Sequence, residues 1–85
     1  MVWAKVKSHP WWPGQVYNPT FASATTQSKR KLGHMLISFF GDNNYGWFIE
    51  SDMVSFEPNY VQNSNQSTSR TFTKAVEESV DELGR

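Results

Sequence analysis

The sequence predicts a small, strongly bent antiparallel β-barrel with one C-terminal α-helix packed on its side, a mainly β fold. Three observations carry that prediction. Short apolar stretches with period-two alternation recur along residues 1–56. Gly, Asp, Asn and Pro punctuate them. A single helical stripe appears only after residue 69. The 85 residues make one domain. A chain this short buries only about 60% of its unfolded surface, so every large side chain counts. Aromatics are 15% of residues, enough to fill much of a core and leave rings over for a binding surface.

The first strand lies in "VWAKVK": Val2, Ala4 and Val6 point one way, and Trp3, Lys5 and Lys7 the other. Pro10 and Pro13 cannot donate to a ladder, so "SHPWWP" is expected as an arch or an edge rather than a central strand. A short second strand, "GQVYN", then starts at Gly14. Residues 18–33 are small, polar and basic and are expected as a long loop. "HMLISFF" is the strongest strand; both of its faces are largely apolar, which makes it central. "GDNN" supplies a turn that tolerates positive φ. "YGWFIE" returns as the fourth strand, and a last short strand lies near Val54 to Phe56.

Residues 59–69 have no apolar period and are expected as a linker or one loose turn. Ser69 then caps a helix in which Phe72, Val76, Val80 and Leu83 form one stripe, with Gly84 as its C-terminal stop. The organisation expected is a barrel over 1–58, a linker over 59–68 and a packed helix over 69–84, all one domain. The chain begins in a strand and stops at a helix end, the pattern expected of a piece of a longer protein.

Composition excludes several classes. Without cysteine there is no disulfide scaffold, thiolate zinc site or cysteine nucleophile. The two histidines, His9 and His34, and the scattered serines form no nucleophile–base set, and the five glycines make no phosphate loop. No enzyme activity, metal or cofactor is therefore expected. No apolar run approaches the roughly 20 residues that cross a bilayer, and no membrane partner is expected. Residues 1–41 hold five basic residues and no acid; residues 42–85 hold eight acids against three basic residues, so the halves carry +5 and −5. Such a split suggests a basic face that meets a polyanion, although charges sorted on a solvated surface have the same look.

Trp11 and Trp12 are neighbours. In an extended backbone their side chains point to opposite sides, so one ring enters the core while the other stays at the surface. The alternative is that both pack inside the barrel and the prolines only stiffen an arch. "VWAKVKSHPWWPGQV" resembles the opening of the PWWP domain, with the signature at Pro10, Trp11, Trp12 and Pro13. "ISFFGD" with "YGW" after the turn is similar to the family's next feature, and "SRTFTKAVEESVDELG" to its closing helix, particularly in plant-type members. The resemblance covers nearly the whole chain. It implies a five-stranded SH3/Tudor-like barrel with C-terminal helix, related to chromo modules. It also implies a nuclear chromatin reader, monomeric as an isolated domain. Its partners would be a methylated histone tail, held in an aromatic cage, and double-stranded nucleosomal DNA, held on an adjacent basic surface. The best-known mark for the family is the trimethyl-lysine of transcribed gene bodies.

Carried over residue by residue, the resemblance makes Trp12 and Phe39 cage walls and turns Trp11 inward. His9 stands where the family usually has Tyr or Phe. Val6 falls where some members line the cage with an apolar residue, and Asp42 where some place an acid beside the bound cation. Lys5 and Lys7 match the family's DNA-contacting lysines and are expected to share a strand face; Lys29, Arg30 and Lys31 are candidates by charge alone. Arg70 and Lys74 rank below them, because acids surround Lys74. A neutral imidazole at His9 is a smaller π surface than tyrosine, and a protonated one repels a cation. The chemistry is sound: a methylated ammonium keeps its charge and loses N–H donors, and each aromatic face attracts it by about 0.5–2 kcal/mol once water is excluded. Desolvation and peptide ordering take back part of that, so a cage alone binds weakly and phosphate contacts supply the rest. Two other readings remain at this level, a non-specific DNA binder without methyl-lysine recognition and a module for a non-histone peptide. An array of methylated and unmethylated tails, with and without DNA, separates them.

Overall fold

The computed structural model describes residues 1–41 and 44–85. Five strands, β1 (Val2–Lys5), β2 (Trp11–Val16), β3 (Met35–Phe39), β4 (Tyr45–Phe48) and β5 (Met53–Ser55), form one antiparallel sheet in the order β4-β3-β2-β1-β5. Among the described residues there are also three α-helices, α1 (Ala24–Ser28), α2 (Tyr60–Ser64) and α3 (Arg70–Leu83), and two short 3-10 turns at Pro19–Phe21 and Glu50–Asp52. The mainly β class with a C-terminal helix is thus what the protein adopts. The long β2–β3 connection is not bare loop, because Ser23 caps α1 by accepting from the Thr26 N–H. Residues 59–68 are likewise more than a linker: they contain α2, and Tyr60 packs on the core.

β2 differs from its sequence reading in an instructive way. It starts at Trp11 and is a central strand, with Pro13 inside it opposite Trp3. On the β3 side the register that pairs Gly14 with Phe39 sets Pro13 against Phe40. The Phe40 N–H donates to the Pro13 carbonyl (3.1 Å), but Pro13 has no N–H to return. The Trp12 indole N–H fills that gap, donating to the Phe40 carbonyl at 2.9 Å. A proline is tolerated in a central strand here because the preceding side chain replaces its missing donor.

β1 differs too. It ends at Lys5, and Lys7 lies in the turn that follows, so the two lysines do not share a strand face. Trp3, expected on the same side as those lysines, is fully buried. Its ring stacks on Phe56 (4.8 Å between centroids, 13° between planes), and its indole donates to the Phe56 carbonyl at 3.0 Å. Trp3, Phe56, Phe72 and Val76 form the central cluster, with Trp11, Trp12, Val54 and Tyr60 packed around it. Neither Trp11 nor Trp12 is fully buried, so the inward and outward split expected of them is not absolute; both are half-buried.

α3 starts as expected, with Ser69 accepting from the Phe72 N–H. Its buried face is Phe72, Ala75, Val76 and Ser79, whereas Val80 and Leu83 are 42% and 43% exposed. Gly84 ends it as expected, with φ −80° in the right-handed region. Small residues turn inward because the helix passes close to the end of β3. A Cβ on Gly41 would lie 2.9 Å from the Ala75 Cβ, and Gly41 has φ +99°. Gly41→Ala is therefore expected to cost about 2–3 kcal/mol, the upper part of the range for a strained backbone. Gly33→Ala (φ +77°, open space) should cost only about 1 kcal/mol. Urea melts of the two variants check this, and equal losses would mean that α3 shifts to admit the methyl group.

Candidate functional site

An open cleft of about 590 Å³ lies between the β1–β2 arch, the start of α3 and β4. Trp12, Phe39 and Phe48 line it, with Val6, His9 and Pro10 on the arch side and Ser67, Ser69 and Thr71 on the helix side. The strands set the rings. Trp12 is held by its bond to the Phe40 carbonyl and stands edge-on to Phe72 at 5.4 Å. Phe39 meets Phe48 edge-on at 5.5 Å. Phe48 folds back across Gly46, where an added Cβ would come within 2.6 Å of its ring. Gly46 is what gives Phe48 its place in the wall.

The arch is pinned from two directions. Gln66 accepts from the Trp11 N–H (2.8 Å) and donates to the Trp11 carbonyl (3.0 Å), acting as a one-residue strand partner to the segment carrying Trp12. The Lys5 ammonium donates to the His9 carbonyl across a turn closed by the His9 N–H on the Val6 carbonyl (3.0 Å). Ser8 in that turn has φ 67°. Lys5 and Lys7 are both exposed and stand on either side of Val6 in sequence, and neither lines the cleft itself.

Of the sequence-nominated cage residues, Trp12, Phe39, His9 and Val6 line one cleft. Asp42 lies outside the described residues. Lys29, Arg30 and Lys31 belong to a different place. Lys29 and Lys31 line a second cleft of about 630 Å³ with Thr25, Thr26 and Trp47. The Trp47 indole donates to the Thr26 carbonyl at 3.0 Å, and the Arg30 guanidinium lies 5.9 Å from the Trp47 ring centre. The two clefts share Asn44, Tyr45 and Gly46. Tyr45 also packs edge-on to Tyr17 at 5.2 Å; desolvation, then the charge and hydrogen bond of Tyr45, pushes the Tyr17 phenol above its ordinary value.

Phe48 and Tyr45 are the aromatic cleft residues that the sequence did not nominate. The signal for Phe48 was the glycine two residues before it in "YGWF". Among the described residues, no group of three His, Asp or Glu side chains comes together as a metal site. None of their helices is long and apolar enough to cross a membrane.

A family model described as "PWWP domain" matches residues 1–84. The chain is 53% identical over its whole length to PWWP domain-containing protein 4 of Arabidopsis thaliana, of which it spans 9%. It is 30% identical, over 92% of its length, to the cytokine-like nuclear factor N-PAC of Aedes aegypti, of which it spans 14%. Among solved structures it is similar to the second PWWP domain of WHSC1L1, with a TM-score of 0.78, 29% identity, 98% of this chain covered and 78% of that one.

Proposed function

The chain belongs to the PWWP family of chromatin-associated readers, and from that premise we propose that this module, in the nucleus, binds a methylated histone lysine and nucleosomal DNA together. The observation that carries the reading is the convergence of Trp12, Phe39 and Phe48 on one open cleft, with Val6 and His9 at its rim. Aromatic faces with little polar competition suit a cation that keeps its charge but has few N–H groups to satisfy. Phe48 gives the cage a third ring, so His9 is a rim residue and its small π surface matters less. The acidic helper expected at Asp42 remains part of this proposal.

Phosphates are the second half of the reading. Lys5 and Lys7 are exposed on the arch segment that carries Val6 and His9, and Lys29, Arg30 and Lys31 form a separate basic group beside Trp47, beyond β4. A histone tail leaves the nucleosome next to DNA, so a lysine cleft together with these basic groups engages both at once. Because the chain spans only 9% of its Arabidopsis relative, this is a reading of the module alone.

Nucleosomes with a methylated tail are expected to bind more tightly than the methylated peptide or bare DNA. Equal affinity for modified nucleosomes and unmodified DNA would remove the cage from the account. If Lys5, Lys7 and one or two of the other basic residues each neutralise a phosphate, log K should fall with log[salt] with a slope of about −3 to −4. Reversing Lys5 and Lys7 to Glu should flatten it by about 2 and weaken all DNA sequences alike. An unchanged slope would move the DNA contact away from the arch.

A further inference from the structure

β4 is the outermost strand of the sheet on its side, and it divides the two clefts. The Phe39 N–H donates to the Asn44 carbonyl at 2.9 Å, in the register that sets Ile37 against Gly46 and Met35 against Phe48. Antiparallel ladders alternate, so those pairs exchange the hydrogen bonds, and the N–H and C=O groups of Tyr45 and Trp47 point away from β3 to the open edge. Side chains alternate as well. Phe48 lies on the aromatic side, against Phe39. Trp47 lies on the other, against Thr26 and Arg30, where Lys29 and Lys31 line the second cleft. Among the described residues the one ion pair is Arg85 with Glu82, so none of these basic groups is paired with a described carboxylate.

We infer that the β4 edge takes the tail as an added strand, and that Lys29 and Lys31 receive an anionic side chain, carboxylate or phosphate, one residue away from the methylated lysine. This rests on the methyl-lysine reading of the aromatic cleft and goes beyond it. A strand hydrogen-bonded to Tyr45 and Trp47 continues the pleat of the sheet. When one of its side chains enters the cleft beside Gly46 and Phe48, both neighbours in sequence face the Trp47 side. The next residue out faces the aromatic side again. A basic cleft there disfavours a lysine or arginine neighbour and favours Glu, Asp or a phosphorylated Ser or Thr. This cleft adjoins the aromatic one along the strand edge, through the shared Asn44, Tyr45 and Gly46, which places Lys29 and Lys31 beside the same peptide.

The test uses short peptides with one trimethyl-lysine and either no acid, a Glu or phosphoserine one residue from it, or the same acid two residues from it. Binding is followed by NMR on the Trp12 and Trp47 indoles and the Tyr45 and Trp47 amides. An acid at the adjacent position is expected to tighten binding about three- to tenfold at moderate salt, to shift the Trp47 indole and to slow exchange of the Tyr45 and Trp47 amides. An acid two residues away should do little. Lys29→Gln with Lys31→Gln, both exposed positions, should remove the gain and leave the affinity of the acid-free peptide unchanged. An equal gain at both spacings, or a gain that survives the double variant, overturns the inference. So does a Trp47 indole that responds to duplex DNA and not to the peptides. If the trimethyl-lysine peptide moves Trp12 while the β4 edge stays still, the edge pairing falls and the methyl-lysine reading stands. If Trp12 is also unmoved, the methyl-lysine reading itself falls.

Discussion

Trp3→Ala is expected to remove about 3–5 kcal/mol of stability, the range for deleting a large buried aromatic, and to leave the domain mostly unfolded near physiological temperature. The side chain is fully buried, stacked on Phe56 and packed against Phe72 at 6.5 Å. Its loss opens a cavity where the sheet meets α3. It also strips the Phe56 carbonyl of its indole donor, and an unpaired buried carbonyl adds about 1–3 kcal/mol. A domain of this size has only about 4–13 kcal/mol in total. Trp3→Phe keeps most of the packing and loses the donor, so it should cost less. Trp11→Ala should also cost less, because Trp11 is half-buried and sits at the edge of the cluster. Urea melts followed by circular dichroism rank the three variants. A Trp11→Ala loss as large as that of Trp3→Ala would contradict the assignment of Trp3 as the centre of the core.

The burial of Trp3 is not legible in β1 itself. Alternation in "VWAK" places Trp3 on the side of Lys5 and Lys7 and does not say what covers that side. Trp3 and Ala4 are both fully buried, because Phe72 and Val76 from α3 and Tyr60 from α2 close over the face that carries Trp3. That cover comes from residues 57 to 73 positions further along the chain, and nothing in β1 itself announces it. Ser69 could be read as a cap because capping is local; the bond to Phe72 needs only the next turn. The stripe of α3 was legible in Phe72 and Val76 but not in its inner edge. There Ala75 is small because of the close approach to Gly41, and Ser79 is buried with its hydroxyl donating to the Val76 carbonyl. The position of β2 was hidden by a rule that is right in general, that proline stays out of central strands. The rule fails here because an indole stands in for the amide. For the cleft, three of its four nominated lining residues came with the family resemblance, at Trp12, Phe39 and Val6, and His9 came as a departure from it. Phe48 was missed because its direction depends on Gly46, a constraint of space that periodicity does not register.

Trp12→Ala is the variant expected to have the largest effect on recognition. Trp12 has two roles that one substitution removes together: its ring walls the cleft, and its N–H completes the β2–β3 ladder at the Phe40 carbonyl. Losing the ring removes about 0.5–2 kcal/mol of cation attraction directly. It also opens the site to water, which weakens what Phe39 and Phe48 contribute. Selectivity for methylated over unmethylated lysine should therefore fall by about tenfold or more. The same change frees the Phe40 carbonyl and the edge of Phe72, so stability should drop by about 2–4 kcal/mol. A loss of binding by itself would thus be ambiguous. Trp12→Phe separates the two roles, because it keeps an aromatic face and cannot donate. It should lose about 1–3 kcal/mol of stability for the unpaired carbonyl while retaining a reduced preference for the methylated peptide. Affinity for bare DNA at a temperature where both variants are folded should change little, since Lys5 and Lys7 are untouched. If Trp12→Ala keeps the wild-type ratio between methylated and unmethylated peptides, the ring is only a structural plug for the proline in β2. The cleft would then need another ligand.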